Sequence, residues 1–155
     1  MAEVLGLILT VGSLVELAGH ATMGLRNAYQ TMRDAPESLQ RLSRNLDAFY
    51  AATQTLLSAL QSFEKKGLVL QVGPLDQMKV AIDNCHHTLR RVQKTMKLDD
   101  LEGRDLSHDS KRSWREEMVK RLRYLITRPE VNEVLNDLER EKSTLSFSVE
   151  ILMVQ

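Results

Sequence analysis

Between residues 39 and 63 the apolar side chains follow one strict rhythm. Leu39, Leu42, Leu46, Phe49, Thr53, Leu56, Leu60 and Phe63 succeed one another at alternating steps of three and four. That spacing holds all of them on one side of an α-helix for about seven turns. A helix with so long an apolar stripe has to be covered along its whole length, so the chain is committed to a bundle. The motif "EKKG" closes this helix, with lysines in its last turn and Gly67 beyond it.

The same spacing recurs downstream. Met78, Ile82, Cys85, Leu89, Val92 and Met96 predict a third helix over about 74–97, opened by the Gly-Pro of "VGPLDQM". Trp114, Met118, Leu122 and Leu125 predict a fourth, starting at Ser110 or Ser113. Val131, Leu135, Leu138, Leu145, Val149 and Leu152 predict a fifth from about 129 onward. "RDAPES" at 33–38 and "TRPE" at 127–130 both carry a capping residue, a first-turn proline and a glutamate three residues after the cap, and so mark helix starts. The polar run "DDLEGRDLSHDS" at 99–110 reads as the longest loop and the most mobile segment. With three prolines, seven glycines and 5% aromatics, nothing in the composition favours strands. The expectation is a single all-α domain over residues 1–155, a bundle of about five helices. The last helix is still apolar toward Gln155 and carries no stop signal, so the expectation is either a piece of a longer protein or a helix that frays at its terminus.

The most apolar stretch is "AEVLGLILTVGSLVELAGHATMGL", residues 2–25, which also carries Glu3, Glu16 and His20. A secretory signal would open with basic residues and a mitochondrial presequence would be rich in arginine; this stretch is neither. Residue 2 is alanine, not the glycine that N-myristoylation needs, and there is no C-terminal prenylation box. From Val4 to Val15 there is no charge, but twelve helical residues reach only ~18 Å against a hydrocarbon core of ~30 Å. Extension to Leu25 gives the length and puts Glu16 near the middle, at a cost of a few kcal/mol. A permanent span is therefore disfavoured. A long helix apolar nearly all round belongs inside a bundle at rest, with its glycines allowing close helix contact.

Catalytic and metal chemistry find no support in the sequence. "CHH" at 85–87 lacks the i, i+4 histidine spacing of a helical metal site, and the chain has no phosphate loop, dinucleotide turn or nucleophile elbow. No enzyme activity and no cofactor are expected. Cys85, the lone cysteine, falls on a buried stripe and reads as an inert core thiol in a reducing, cytosolic protein. Lys and Arg balance Asp and Glu at 21 each, so there is no overall field for nucleic acid, and the scarce aromatics argue the same way.

Charge is nonetheless uneven along the chain. Residues 90–128 hold twelve Lys and Arg against seven Asp and Glu, a net of +5, and residues 129–155 hold two against six, a net of −4. Two readings remain open: solvated helix faces that attract one another across the bundle, or a surface for anionic lipid built from Arg90, Arg91, Lys94, Lys97, Lys120, Arg121 and Arg123.

Four stretches, in order and spread over nearly the whole chain, carry a resemblance. They are "MAEVLGLILTVGSLVELAG", "RDAPESLQRL", "NCHHTLRRV" and "RPEVNEVLNDLEREKSTLSFSVEIL". In these the chain resembles the HeLo-like N-terminal domain of fungal STAND (NLR-like) receptors. The resemblance implies a four-helix-bundle core placed ahead of a nucleotide-binding oligomerisation domain and a repeat sensor. It also implies a role in programmed cell death and heterokaryon incompatibility. Such a domain is cytoplasmic at rest; after self-association its N-terminal helix permeabilises the plasma membrane. Carried over, the membrane-active helix is residues 2–25, with Leu5, Gly6, Leu9, Gly12, Glu16, Gly19 and Gly24 as its key positions. The steps between these glycines are 6, 7 and 5, so they do not form a regular zipper, and only Ala2, Gly6 and Thr10 keep a small residue every four. The alternative is a module that binds itself or a partner protein without lysis.

Overall fold

The computed structural model describes residues 2–30, 37–68, 71–96 and 129–154. These form four helices: α1 (Ala2–Gln30), α2 (Glu37–Lys65), α3 (Val72–Met96) and α4 (Pro129–Val154). The domain is all-α, as the periodicity requires, with four helices among the described residues where about five were expected. The segment expected to supply the other helix, with Trp114, Met118, Leu122 and Leu125, lies outside the described residues, as do the 99–110 loop and most of "RDAPES".

α1 packs against α2 and α3, and α4 packs against the same two, which puts α1 and α4 at opposite corners of the bundle. Specific contacts fix the directions. Gly19 lies against the Tyr50 ring and Thr22 reaches the carbonyl of Leu46, so α1 and α2 are antiparallel. The His86 ring lies against Thr10, while Gly6 and Leu7 face Lys79 and Ile82 across a groove, so α1 and α3 run parallel. Arg91 pairs with Asp137 and Cys85 meets Glu141, so α3 and α4 are antiparallel. The start of α1, the end of α2, the start of α3 and the end of α4 consequently gather at one end of the bundle. We call it the lower end.

All eight positions of the α2 stripe are buried. In α3 the expected Met78, Ile82, Cys85, Leu89 and Val92 are buried too, joined by Leu75. α1 resolves its ambiguity by burying Val4, Leu7, Val11, Leu14, Ala18, Ala21 and Leu25, again at steps of three and four. α4 buries Val131, Val134, Leu138, Glu141, Leu145, Ser148 and Leu152 on that same rhythm. Here the expected inward set needs correction. Val134, Glu141 and Ser148 are core positions, and Val149 is only partly buried at the edge.

The α2–α3 turn follows the sequence signal closely. Gly67 takes a positive φ of 66°, the left-handed conformation that glycine adopts without steric cost. Its amide donates to Glu64 and that of Lys66 donates to Ser62, satisfying carbonyls at the helix end. α3 starts at Val72, two residues before the expected 74, and so takes Gly73 and Pro74 into its first turn, where a missing amide costs nothing.

Candidate functional site

Residues Glu3–Asn27 of α1 are long and apolar enough, by length and composition, to cross a membrane. Only 33% of the most apolar window is buried inside the bundle. This corrects the picture of a helix enclosed on all sides. α1 has one covered face and one open face, and the open face is the candidate site.

The open face runs along Leu5, Leu9, Gly12, Glu16 and Met23, spaced so that successive residues stay on one side of the helix. Leu9 is 76% exposed, Met23 61% and Leu5 46%, while Gly6 and Glu16 are exposed and Gly12 is half-buried. A methyl group placed on Gly6 or Gly12 would meet nothing within 4 Å. Among the described residues these two glycines therefore do not serve helix packing, contrary to the expectation from sequence. Gly19 does serve it: a Cβ there would stand 2.7 Å from Cε2 of Tyr50 on α2, so the Tyr50 ring occupies the space that a side chain at residue 19 would take. Gly24 is buried. The seven positions named from the resemblance thus divide, with Leu5, Gly6, Leu9, Gly12 and Glu16 toward the open side and Gly19 and Gly24 belonging to the packing.

The covered face is held mainly by apolar contact. Its polar ties among the described residues include Thr22 Oγ1, which donates to the Leu46 carbonyl at 3.4 Å, and Arg26, which pairs with Asp47 at 3.1 Å. The latter pair is about half exposed, and such surface pairs contribute ~1 kcal/mol or less. Near the start of α1, a groove of about 330 Å³ separates it from α3, lined by Glu3, Gly6, Leu7, Thr10, Lys79, Ile82 and Asp83. Just above it, a ring nitrogen of His86 lies 3.3 Å from the Thr10 carbonyl oxygen and donates to it.

The basic residues lie elsewhere. Arg91 is engaged inside the chain, 2.6 Å from Asp137 and 3.4 Å from Glu133 on α4. Arg41 of α2 likewise holds Glu139 at 3.1 Å, with Asn45 bonding the same carboxylate. These bonds hold the Glu139 carboxyl below its ordinary pKa. At these contacts the acidic α4 serves as counter-charge for α2 and α3, the first of the two charge readings. Arg90 and Lys94 are exposed and form no ion pair among the described residues. The parallel register of α1 and α3 sets them level with Leu14 and Ala18, so Arg90 stands about 14 Å further along the bundle than Leu5. Lys97, Lys120, Arg121 and Arg123 lie outside the described residues.

Between α3 and α4 the core takes in a carboxylate that sequence reasoning missed. Glu141 is 3% exposed; Cys85 Sγ donates to its Oε2 at 3.9 Å and Arg140 reaches its Oε1 at 3.3 Å. Burial pushes the Cys85 thiol far above its ordinary pKa, and the Glu141 charge and hydrogen bond push it the same way, so the sulfur stays protonated and unreactive. The described residues contain no group of three His, Cys, Asp or Glu placed to hold a metal ion. The signal for Glu141 lay in the chain. Between Leu138 and Leu145 the three-four rhythm requires a core residue at 141 or 142, and both are charged. No family model, no curated protein and no solved structure matches the chain.

Proposed function

We propose that this chain is a HeLo-like effector domain that targets membranes, with α1 as the segment that enters the bilayer after self-association. The observation that carries the reading is the open face of α1, where a membrane-length helix leaves Leu5, Leu9 and Met23 in water although its packing uses only the opposite face. Leu5 and Leu9 lie one turn apart beside Gly6 and Gly12 on a helix of spanning length, an apolar strip that supports a contact outside the isolated domain. The resemblance supplies the context: a cytoplasmic N-terminal domain of a fungal STAND receptor, ahead of nucleotide-binding and repeat domains, whose output is permeabilisation of the plasma membrane and cell death. No substrate, cofactor or nucleic acid enters this reading.

Glu16 is the obstacle to a lone span and the reason for self-association. A carboxylate near mid-membrane costs a few kcal/mol facing lipid and far less facing a polar interior shared between copies. The test is dye release from vesicles by wild type and by Leu5→Gln/Leu9→Gln, which touches no buried residue. The expected result is release by wild type, reduced at least tenfold in the variant at unchanged helicity. Equal release by both, or none by an oligomeric wild type, rejects the proposal.

A second reading has an observation of its own. Gly6 and Gly12 leave open space on the face of α1, which suits close approach by a helix of another copy without any lipid. A stable oligomer that ignores vesicles and dissociates in Gly12→Leu would establish that non-lytic module.

A further inference from the structure

The seam between α3 and α4 keeps a groove that its own side chains do not fill. It holds about 440 Å³, within the size range of small-molecule sites, and is lined by Val80, Ala81 and Asn84 on α3 and by Arg140, Glu141 and Thr144 on α4. Helix periodicity builds its walls. Val80 and Asn84 stand four apart on α3, and Arg140, Thr144 and Phe147 follow at steps of four and three on α4, so Phe147 extends the second wall beyond Thr144. Val80 and Phe147 are 59% and 57% exposed, whereas the small Ala81 is buried.

One lining group is out of place in such a groove. Glu141 is 3% exposed, yet its partners are weak for so buried a charge. The Cys85 thiol, a poor donor, lies 3.9 Å away, and Arg140 at 3.3 Å shares the same Nη2 with Asp137 at 3.2 Å while its side chain stays 68% exposed. A carboxylate buried beside so exposed a counter-ion adds little to stability, and an apolar residue would complete the α4 stripe. Cations near the groove are otherwise committed. Arg91 is held by Asp137 and Glu133, Lys79 lines the opposite groove with α1, and Lys142 acts on Glu139, which Arg41 of α2 engages. Among the described residues Arg140 is the only cation lining the groove, and Asp76 lines it as well as Glu141.

We propose that the α3–α4 groove binds a small organic ammonium ion, its charged head on the Glu141 carboxylate and its hydrocarbon body along Val80, Ala81 and Phe147. The buried carboxylate supplies a charge-assisted acceptor, and the apolar walls supply the burial. Arg140 is the competitor. It yields Glu141 to the incoming ammonium and turns outward, where its exposure gives it room and Asp137 keeps it paired. A bound cation of this kind spans α3 and α4, so it also stabilises the folded bundle. No residue of α1 lines the groove, and the proposal goes beyond the membrane reading without depending on it.

The test is NMR titration of the whole chain at neutral pH with hexylamine, which is protonated there, and with hexanol and hexanoate as neutral and anionic counterparts. Expected are shifts at the Val80, Ala81 and Thr144 methyl groups with hexylamine, and affinities about tenfold weaker or worse for the other two. Glu141→Gln keeps the side-chain volume and is expected to weaken hexylamine by about tenfold or more. Arg140→Ala removes the competitor and is expected to tighten it, which loss of fold would not do. Circular dichroism checks the helicity of both variants, and Arg140→Ala decides alone should Glu141→Gln fail to fold. Equal binding of hexanol overturns the proposal in favour of a merely apolar groove, and preference for hexanoate does so in favour of an anion site at Arg140. Unchanged affinity in Glu141→Gln, weaker binding by folded Arg140→Ala, or shifts confined to other surfaces also overturn it. So does a wild type that binds none of the three at millimolar concentration.

Discussion

α1 and α4 stand at opposite corners of the bundle and use the same seven-position rhythm, yet they break the rule of apolar inside and polar outside in opposite senses. α1 fills its three-four stripe with apolar residues, from Val4 to Leu25, with Thr22 the buried polar residue beside it, and then carries leucines and a methionine on its open face as well. α4 spends two of its covered positions on Glu141 and Ser148, while its flanks hold the acids that Arg41 and Arg91 engage. A fold needs only one apolar stripe per helix. Surplus apolarity on α1 and surplus polarity in α4 therefore both call for reasons other than burial, and they mark where the molecule differs from a minimal bundle.

The comparison breaks most visibly if the open face of α1 turns out to matter for folding. Leu14→Ala removes a fully buried side chain and is expected to cost ~2–5 kcal/mol in denaturant unfolding. Leu9→Ala, at the same residue type and five residues closer to the N-terminus, is expected to stay within ~0.5 kcal/mol of wild type. Similar losses from the two would mean that the open face is covered in solution by something the bundle itself supplies.

At the α4 corner the expected sign is reversed. Glu141→Leu completes the apolar stripe and removes a buried charge whose main partner, Arg140, is itself 68% exposed. Such a replacement is expected to leave stability unchanged or to raise it by up to ~4 kcal/mol, read as an upward shift of the denaturant midpoint. A clear loss would show that Glu141, Cys85 and Arg140 act as a connected polar network and that the departure in α4 stabilises the fold. Glu141→Gln, which keeps a hydrogen-bonding group and removes the charge, separates polarity from ionisation.

These departures also explain what could and could not be read from the chain. The stripes of α2 and α3 and the glycine cap at Gly67 were legible because periodicity and turn chemistry are local. Glu141 was passed over because a charged residue is assigned to the surface by default, although the gap between Leu138 and Leu145 required a core position there. In α1 the apolar residues outnumber those one face can hold, so the sequence alone could not say which would be covered. The partners made that choice, through the fit of Tyr50 over Gly19 and the stripe of α2. For the same reason four glycines that looked alike in sequence have different duties. The pairing of Arg91 with Asp137 needed the antiparallel register of α3 and α4, which no local signal contains.

The glycines give a finer test of the two faces of α1. Gly19→Leu drives a side chain into Tyr50 and is expected to destabilise by ~1–3 kcal/mol, the usual cost of overpacking. Gly12→Leu enters open space in a helix interior, where leaving glycine is itself favourable by somewhat less than ~1 kcal/mol. Its thermal midpoint is expected to hold or rise by a few degrees, whatever happens to its activity on vesicles. Should Gly12→Leu unfold the domain as Gly19→Leu does, the distinction between packing glycines and open-face glycines fails.

The smallest expected effect belongs to the α4 corner and depends on pH. The Cys85 pKa is raised in the folded protein, first by burial and then by Glu141, so its thiol binds a proton that the unfolded chain releases more readily. Stability from this source is complete below the unfolded thiol pKa of ~8.5 and is lost as pH rises above it, because only the unfolded state then ionises. One such group removes about 1.4 kcal/mol by pH 9.5. Wild type is therefore expected to lose about 1 kcal/mol more stability between pH 8.5 and 9.5 than Cys85→Ala does, with other alkaline titrations common to both. Glu141→Leu is expected to keep most of the slope, since burial is the larger cause. If the slope vanishes with Glu141, the charge rather than the apolar surroundings holds the thiol protonated, and the polar interior of α4 exerts more on α3 than its packing suggests.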